Sequence, residues 1–471
     1  NNAIRILNRH ISLFRRLLVT EQLSIERNWT VSSQSKAMAA GDVSAMELAE
    51  VALQQAAEKS VLNAVVSLDP EIVRRQAAES DERRASGQTL SEIDGICIAV
   101  KDNFWTKDYP TTACSNATPR VPEKTDAFVI AKLRSAGAII FAKTNMHEWA
   151  YGATNATSNI GPSRNPHNIE YTTGGSSGGS AAMVAAGIVP AALGSDTGGS
   201  VRIPAGACGI YGFKPSYGRA SRHGVLPLSW SLDAPGLMAT TLHDLEMLLP
   251  FFLGADQADR TTALSRPYTD NLRLINLVGD GLERSDEVDI VHSRALRQVQ
   301  GAAEIRTSGI PGVASYFAAW EAILHAEASS YHLEQMTEDP SGYSPVTRSH
   351  LEAGKMLLAT ELLKAQQLRT EFCLALEKLW QDADALVLPT LPVTAPKIGE
   401  DWQEFGNLRV TSQDSMTWFC WLANLAGLPC ISIPCGISST GMPIGMMVMA
   451  KAGEDEKLID IVHKMDFSIN P

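Results

Sequence analysis

Short, continuous apolar runs alternate along this chain with amphipathic segments of helical period. Residues 95–100, GICIAV, form an apolar run bounded by glycine, and Lys101 follows it directly. A run of this length without polar alternation predicts a strand buried on both faces, which puts a lysine at the C-terminal end of that strand. Residues 138–142, AIIFA, repeat the pattern after an amphipathic segment that begins at Thr125 and Asp126 and stops at Gly137. Glycine there supplies the left-handed conformation that ends helices. Residues 43–60 have helical spacing around Ser44-Ala45-Met46-Glu47, a capping box in which serine and glutamate satisfy each other's backbone donors. Residues 385–389 and 430–434 predict further buried strands, each ended by proline, and residues 283–379 are mostly helical with a break near Asp339-Pro340-Ser341-Gly342.

Apolar strands alternating with capped helices predict an α/β fold with a mixed, largely parallel central sheet flanked by helices on both faces. No composition shift marks a linker after residue 40, so the late strands are expected to rejoin the early sheet in one large domain over residues 35–471. Residues 1–34 are expected to form an N-terminal helical extension, with Ile4, Leu7, Ile11, Phe14, Leu17 and Leu18 at helical spacing. The same segment carries Arg5, Arg9, Arg15 and Arg16 with no acidic residue before Glu21, and the chain starts at Asn1, so a cleaved leader stays open as an alternative.

Composition narrows the function classes. Of 471 residues, 45% are hydrophobic and 20% charged, which fits a folded globular chain and excludes a fibrous or wholly disordered one. The net charge of −12 opposes a phosphate backbone, so no direct nucleic-acid contact is expected. No apolar run reaches the length of a membrane span. The seven cysteines are scattered and mostly in apolar surroundings, which points to a reducing, cytoplasmic setting. C-x-x-C and H-x-x-x-H spacings are absent, so neither a metal nor another cofactor is expected. A homo-oligomer is compatible with all of this.

The candidate chemistry lies in residues 171–219, dense in Gly, Ser and Ala yet carrying helical and apolar segments. Serine needs a base to act as a nucleophile, and no histidine stands in these Gly-Ser segments. A lysine can serve if burial makes it neutral near pH 7, and Lys101 stands at the end of a buried run. Asp102 would oppose that, but strand alternation turns it to the other face. In Asp196-Thr197-Gly198-Gly199-Ser200, the two glycines let consecutive amides converge beside a hydroxyl, an arrangement suited to an oxyanion. Gly174-Gly175-Ser176-Ser177-Gly178-Gly179 is a serine-rich turn that can hold a hydroxyl between nucleophile and lysine. A phosphate-binding loop is the rival reading of the glycines, but Gly354-Lys355 is followed by methionine and lies in helical sequence.

The runs GGSSGGSAA, GSDTGGSVRIPA and CGIYGFKPSYGR, with AVKDN at 99–103, resemble the amidase signature family. The likeness extends through KTNMHEWAYG (143–152), LPLSWSLDAPG (226–236), LPTLPVTAP (388–396) and NLAGLPCISIPCG (424–436). Twenty-four positions lead from Ser176 to Ser200 and 99 from Lys101 to Ser200, the spacings of that family. The resemblance implies the amidase signature fold and a Ser-cisSer-Lys triad of Ser200 as nucleophile, Ser176 as relay and Lys101 as base. It further implies oxyanion-hole amides at Thr197, Gly198, Gly199 and Ser200, and supporting roles for Ser177, Asp196 and Arg202. Met146, Trp149, Tyr151 and Trp418, with Phe419 and Trp421, are candidates for the substrate pocket, while His147 is expected to be a satisfied structural histidine.

The implied function is hydrolysis of a C–N bond in a small amide, or a related carbamate or urea, through an acyl-enzyme. The alternative is the glutaminase subunit of a tRNA-dependent amidotransferase, which also resembles this family. A catalytically dead binding protein is disfavoured by the intact Lys101, Ser176 and Ser200.

Overall fold

The structure, a computed structural model, describes residues 30–256, 272–299 and 303–465. The six apolar positions noted near the N-terminus lie outside the described residues. A helix at Val31–Ala40, capped by the Thr30 side chain, crosses the expected boundary at residue 34 and joins the body of the protein: Val31 is fully buried, and the Ser32 amide donates to Asp244 Oδ1 at 3.0 Å. The next helix, Ala45–Glu58, has the capping box read from the sequence. Ser44 N donates to Glu47 Oε2 at 2.9 Å, and Glu47 N to Ser44 Oγ at 3.1 Å.

The strands, in chain order, are β1 (Val65–Ser67), β2 (Cys97–Lys101), β3 (Ile139–Thr144), β4 (Arg164–Asn165), β5 (Asn168–Thr172), β6 (Ala191–Asp196), β7 (Tyr211–Lys214), β8 (Ala234–Ala239), β9 (Arg273–Leu277), β10 (Glu304–Ser308), β11 (Ala385–Pro389), β12 (Trp402–Phe405), β13 (Leu408–Thr411), β14 (Cys430–Ile437) and β15 (Pro443–Met449). Eleven of these form one mixed sheet in the order β1-β3-β2-β6-β8-β7-β14-β15-β11-β9-β10, while β4-β5 and β12-β13 are separate hairpins. The expected α/β fold is therefore present, and the late strands do rejoin the early ones. Parallel pairing is concentrated in two blocks, β3-β2-β6 and β11-β9-β10, and the centre from β6 to β11 is antiparallel.

β2, β3, β6 and β8 are buried at every position. Their apolar runs follow from that burial on both faces, and the polar residues come at the C-terminal ends of β2, β3 and β6. Further along the sheet, alternate residues feed two cores: Val387 and Val448 pack into one, Leu386, Leu388 and Met447 into the other. The helix Asp286–Val299 covers the first face and Val313–Tyr331 the second. β10 interrupts the stretch expected to be helical. Its EIRTS sequence is half exposed at the sheet edge and lacks an apolar run that would announce it. No helix among the described residues is long and apolar enough to cross a membrane.

Candidate active site

β2 and β6 are parallel neighbours with Val100 opposite Leu193, so their C-terminal ends bring Lys101 beside Ser195 and Asp196. Lys101 is fully buried, and its Nζ donates to Ser176 Oγ at 2.7 Å, Ser195 Oγ at 2.9 Å and the Ser195 carbonyl at 3.3 Å. Asn103 Nδ2 also donates to Ser195 Oγ, at 3.0 Å, and holds that hydroxyl in place. Burial lowers the Lys101 ammonium to about 7, against the opposing pull of Asp196 and Asp233. Asp102 faces elsewhere, as strand alternation predicts, pairing with Lys143 Nζ at 3.3 Å and accepting the Thr112 amide at 3.2 Å.

Two loops complete the arrangement. The first leads into the helix Gly178–Ala185 and contains a cis peptide bond between Gly175 and Ser176, as the family resemblance implies. The second runs from β6 to the helix Arg202–Cys208 and carries Ser200. They are joined where the Ser177 amide donates to the Ser200 carbonyl at 3.2 Å.

Asp196 fixes the shape of the second loop. Its carboxylate accepts the amides of Gly199 at 2.9 Å and Val201 at 3.1 Å, Arg202 Nη2 at 2.8 Å and Nε at 3.0 Å, and Asn424 Nδ2 at 2.9 Å. Burial alone would raise this carboxyl, but the Arg202 charge and the hydrogen bonds outweigh it and hold it at about 2. Gly199 has φ of +123°, and a Cβ there would lie 2.3 Å from Cys420 Cβ, so both conformation and space require glycine. Thr197 is anchored through Oγ1 to Asp233 Oδ1 at 2.6 Å and through its carbonyl to Trp320 Nε1 at 3.2 Å.

The amides of Thr197, Gly198 and Ser200 donate to none of the described residues, nor does the Ser200 hydroxyl. Ser200 is 7% exposed and opens onto a cavity of ≈ 240 Å³ that Thr197 and Gly198 also line. The rest of the lining comes from distant segments: Tyr151, then Glu321 and His325 from the helix Val313–Tyr331, His350 from Pro345–Lys355, and Gln413 and Asp414 from Ser412–Thr417. Tyr151 Oη and His325 Nδ1 share a hydrogen bond. Burial, reinforced by Asp414, pushes Glu321 up to about 7, and burial lowers His325 to about 4 with His350 adding to the effect.

The Amidase family model matches residues 47–459. The chain belongs to the amidase family. A glutamyl-tRNA(Gln) amidotransferase subunit from Synechococcus sp. (strain CC9605) is 34% identical over 93% of this chain and 96% of that relative. A solved amidase structure superposes with a TM-score of 0.86 at 33% identity, covering 93% of this chain and 99% of the other. The corresponding amidotransferase subunit from Thermotoga maritima superposes with a TM-score of 0.77 at 30% identity, covering 94% and 95%. The catalytic scaffold is thus that of amidase enzymes, which act on C–N bonds.

Against this amidase framework several expectations need correction. The resemblance assigns the Gly199 amide to an oxyanion, but Asp196 Oδ1 already accepts it, which leaves Thr197, Gly198 and Ser200 as the free donors. Of the four pocket candidates only Tyr151 lines the cavity. Met146 and Trp149 are buried in the core, where Trp149 packs on His332 and Tyr343. Trp418 packs against Phe317 and Phe405, while Phe419 and Trp421 are core residues. His147 is not satisfied: neither ring nitrogen has a hydrogen-bond partner among the described residues, and burial, with His350 and Lys101, lowers it to about 3. Sequence reasoning missed Ser195, Asn103, Asp233 and Asn424 as organisers. All four lie in motifs already quoted for the family, so a signal was present; Glu321, His325, His350 and Asp414 had none.

Proposed function

We propose that this chain is an amide hydrolase in which Ser200 is the nucleophile, Ser176 the relay and neutral Lys101 the base. The observation that carries the proposal is the 2.7 Å hydrogen bond from fully buried Lys101 to Ser176 Oγ. The Ser200 proton passes through Ser176 to Lys101 Nζ as Ser200 Oγ attacks the amide carbonyl. The amides of Thr197, Gly198 and Ser200 stabilise the oxyanion. The proton then returns through Ser176 to the leaving nitrogen, the C–N bond breaks, and water releases the acyl group by the reverse relay. Ser177 and the Asp196–Arg202–Asn424 cluster hold the two loops in register. Seven free cysteines suit a reducing, cytoplasmic setting for such an enzyme.

A glutaminase subunit is the second reading, favoured by the 34% identity to a glutamyl-tRNA(Gln) amidotransferase subunit. The cavity bears on both readings: among the described residues no Lys or Arg lines it to pair the α-carboxylate of glutamine, while Glu321 and Asp414 suit its α-ammonium. The test is a hydrolysis screen over aliphatic amides, aryl amides, carbamates, ureas and glutamine, with Ser200→Ala as control. Activity of the variant above roughly a hundredth of wild type sinks the nucleophile assignment. Ammonia release from glutamine with co-purifying subunits selects the second reading.

A further inference from the structure

We propose that the cavity over Ser200 selects amides that carry a cationic amino group, bound between Glu321 and Asp414. This rests on the hydrolase reading. Two observations combine. First, Glu321 and Asp414 both line the cavity, are only half-buried, and have no ion-pair or side-chain hydrogen-bond partner among the described residues. Among the described residues no Lys or Arg is in the lining to compensate them. Second, and independently, the cavity has a feature of a ligand site: the Ser200 hydroxyl, on a residue only 7% exposed, opens onto it without a hydrogen-bond partner among the described residues.

Two uncompensated carboxylates in a partly enclosed space repel each other and attract a cation. Burial and the Asp414 charge raise Glu321 to about 7, so in the free protein part of this repulsion is relieved by a proton. A substrate ammonium can take the place of that proton while donating hydrogen bonds to both carboxylates. A neutral chain of the same length leaves them as they are. Burial lowers His325 to about 4 and also lowers His350, against the opposing pull of Asp414, so neither imidazole is a standing counter-charge as a lysine or arginine would be.

The test compares β-alaninamide and γ-aminobutyramide with propionamide and butyramide. Binding is measured by ligand-observed NMR on Ser200→Ala, which removes turnover. The amino amides are expected to bind about ten- to a hundredfold tighter, the range for one hydrogen bond to a charged group. Adding Glu321→Gln and Asp414→Asn should bring the ratio toward one, and because each variant supplies its own neutral reference, a general loss of affinity cancels. Equal or weaker binding of the amino amides to Ser200→Ala overturns the proposal whether or not the carboxylate variants fold. A ratio that survives both substitutions in folded protein, judged by circular dichroism, overturns it too. The wild-type enzyme separates the two readings. Hydrolysis of these amides without a preference for the amine removes the cavity selectivity and keeps the hydrolase. A binding preference without any turnover supports the selectivity and removes the hydrolase.

Discussion

The acid limb of serine acylation is the sharpest consequence of the Lys101 environment. An unperturbed lysine at 10.5 would be neutral in only about one molecule in three thousand at pH 7, whereas at about 7 half the molecules hold the base form. The displacement corresponds to about 5 kcal/mol against the charged form, and it comes from complete burial, with three oxygen acceptors but no carboxylate bonded to Nζ. The assay is the second-order rate of Ser200 labelling by a fluorophosphonate from pH 5 to 10, which reads the free enzyme and needs no known substrate. The rate should rise about tenfold per pH unit below about 7 and level off above it. Lys101→Met should slow labelling by roughly a hundred- to ten-thousandfold and abolish that limb. A limb that appears only above pH 9, or one that persists unchanged in Lys101→Met, would refute lysine as the base. Stability carries the same sign: the folded state holds Lys101 neutral while the unfolded chain protonates it, so this group adds stability as pH rises from about 7 toward 10.5.

Asp196→Ala leaves the Arg202 guanidinium buried without its carboxylate, and about 3–5 kcal/mol of stability should be lost; urea unfolding that shows less than about 1 kcal/mol would contradict the organising role. Gly199→Ala forces a side chain at φ +123° and into Cys420. A loss of about 1–3 kcal/mol or more, with slower fluorophosphonate labelling as the Ser200 loop shifts, is expected; an unchanged melting temperature and labelling rate would contradict the close packing.

Much of the local structure was legible because it depends on near neighbours. The Ser44–Glu47 capping box, the glycine stop at Gly137 and the buried strands β2, β3 and β11 follow from spacing and apolar continuity alone. β10 was not legible, since an edge strand with exposed polar positions carries no such pattern. The lysine at a strand end and the glycines before Ser200 announced acyl-transfer chemistry, whereas the choice of Ser176 over Ser177 depended on family spacing. The structure gives that choice a physical basis: Ser176 Oγ meets Lys101 Nζ, while Ser177 Oγ donates to the Ser195 carbonyl at 3.3 Å.

The amino-acid sequence by itself determined the buried strands, the caps and most of the residues proposed to carry the chemistry, because those depend on period, propensity and short spacing. Only the tertiary structure decided what surrounds them. The placement of β2 beside β6 sets Lys101 against Ser195, 94 positions away, and the return of residues 412–424 to the β6 loop puts Asn424 on Asp196 and Asp414 in the cavity. Those meetings are set by sheet order and by packing of both faces. Trp149, Trp418, Phe419 and Trp421 therefore went to the core or its edge, and two carboxylates from distant helices, without ion-pair partners among the described residues, came to line the cavity over Ser200.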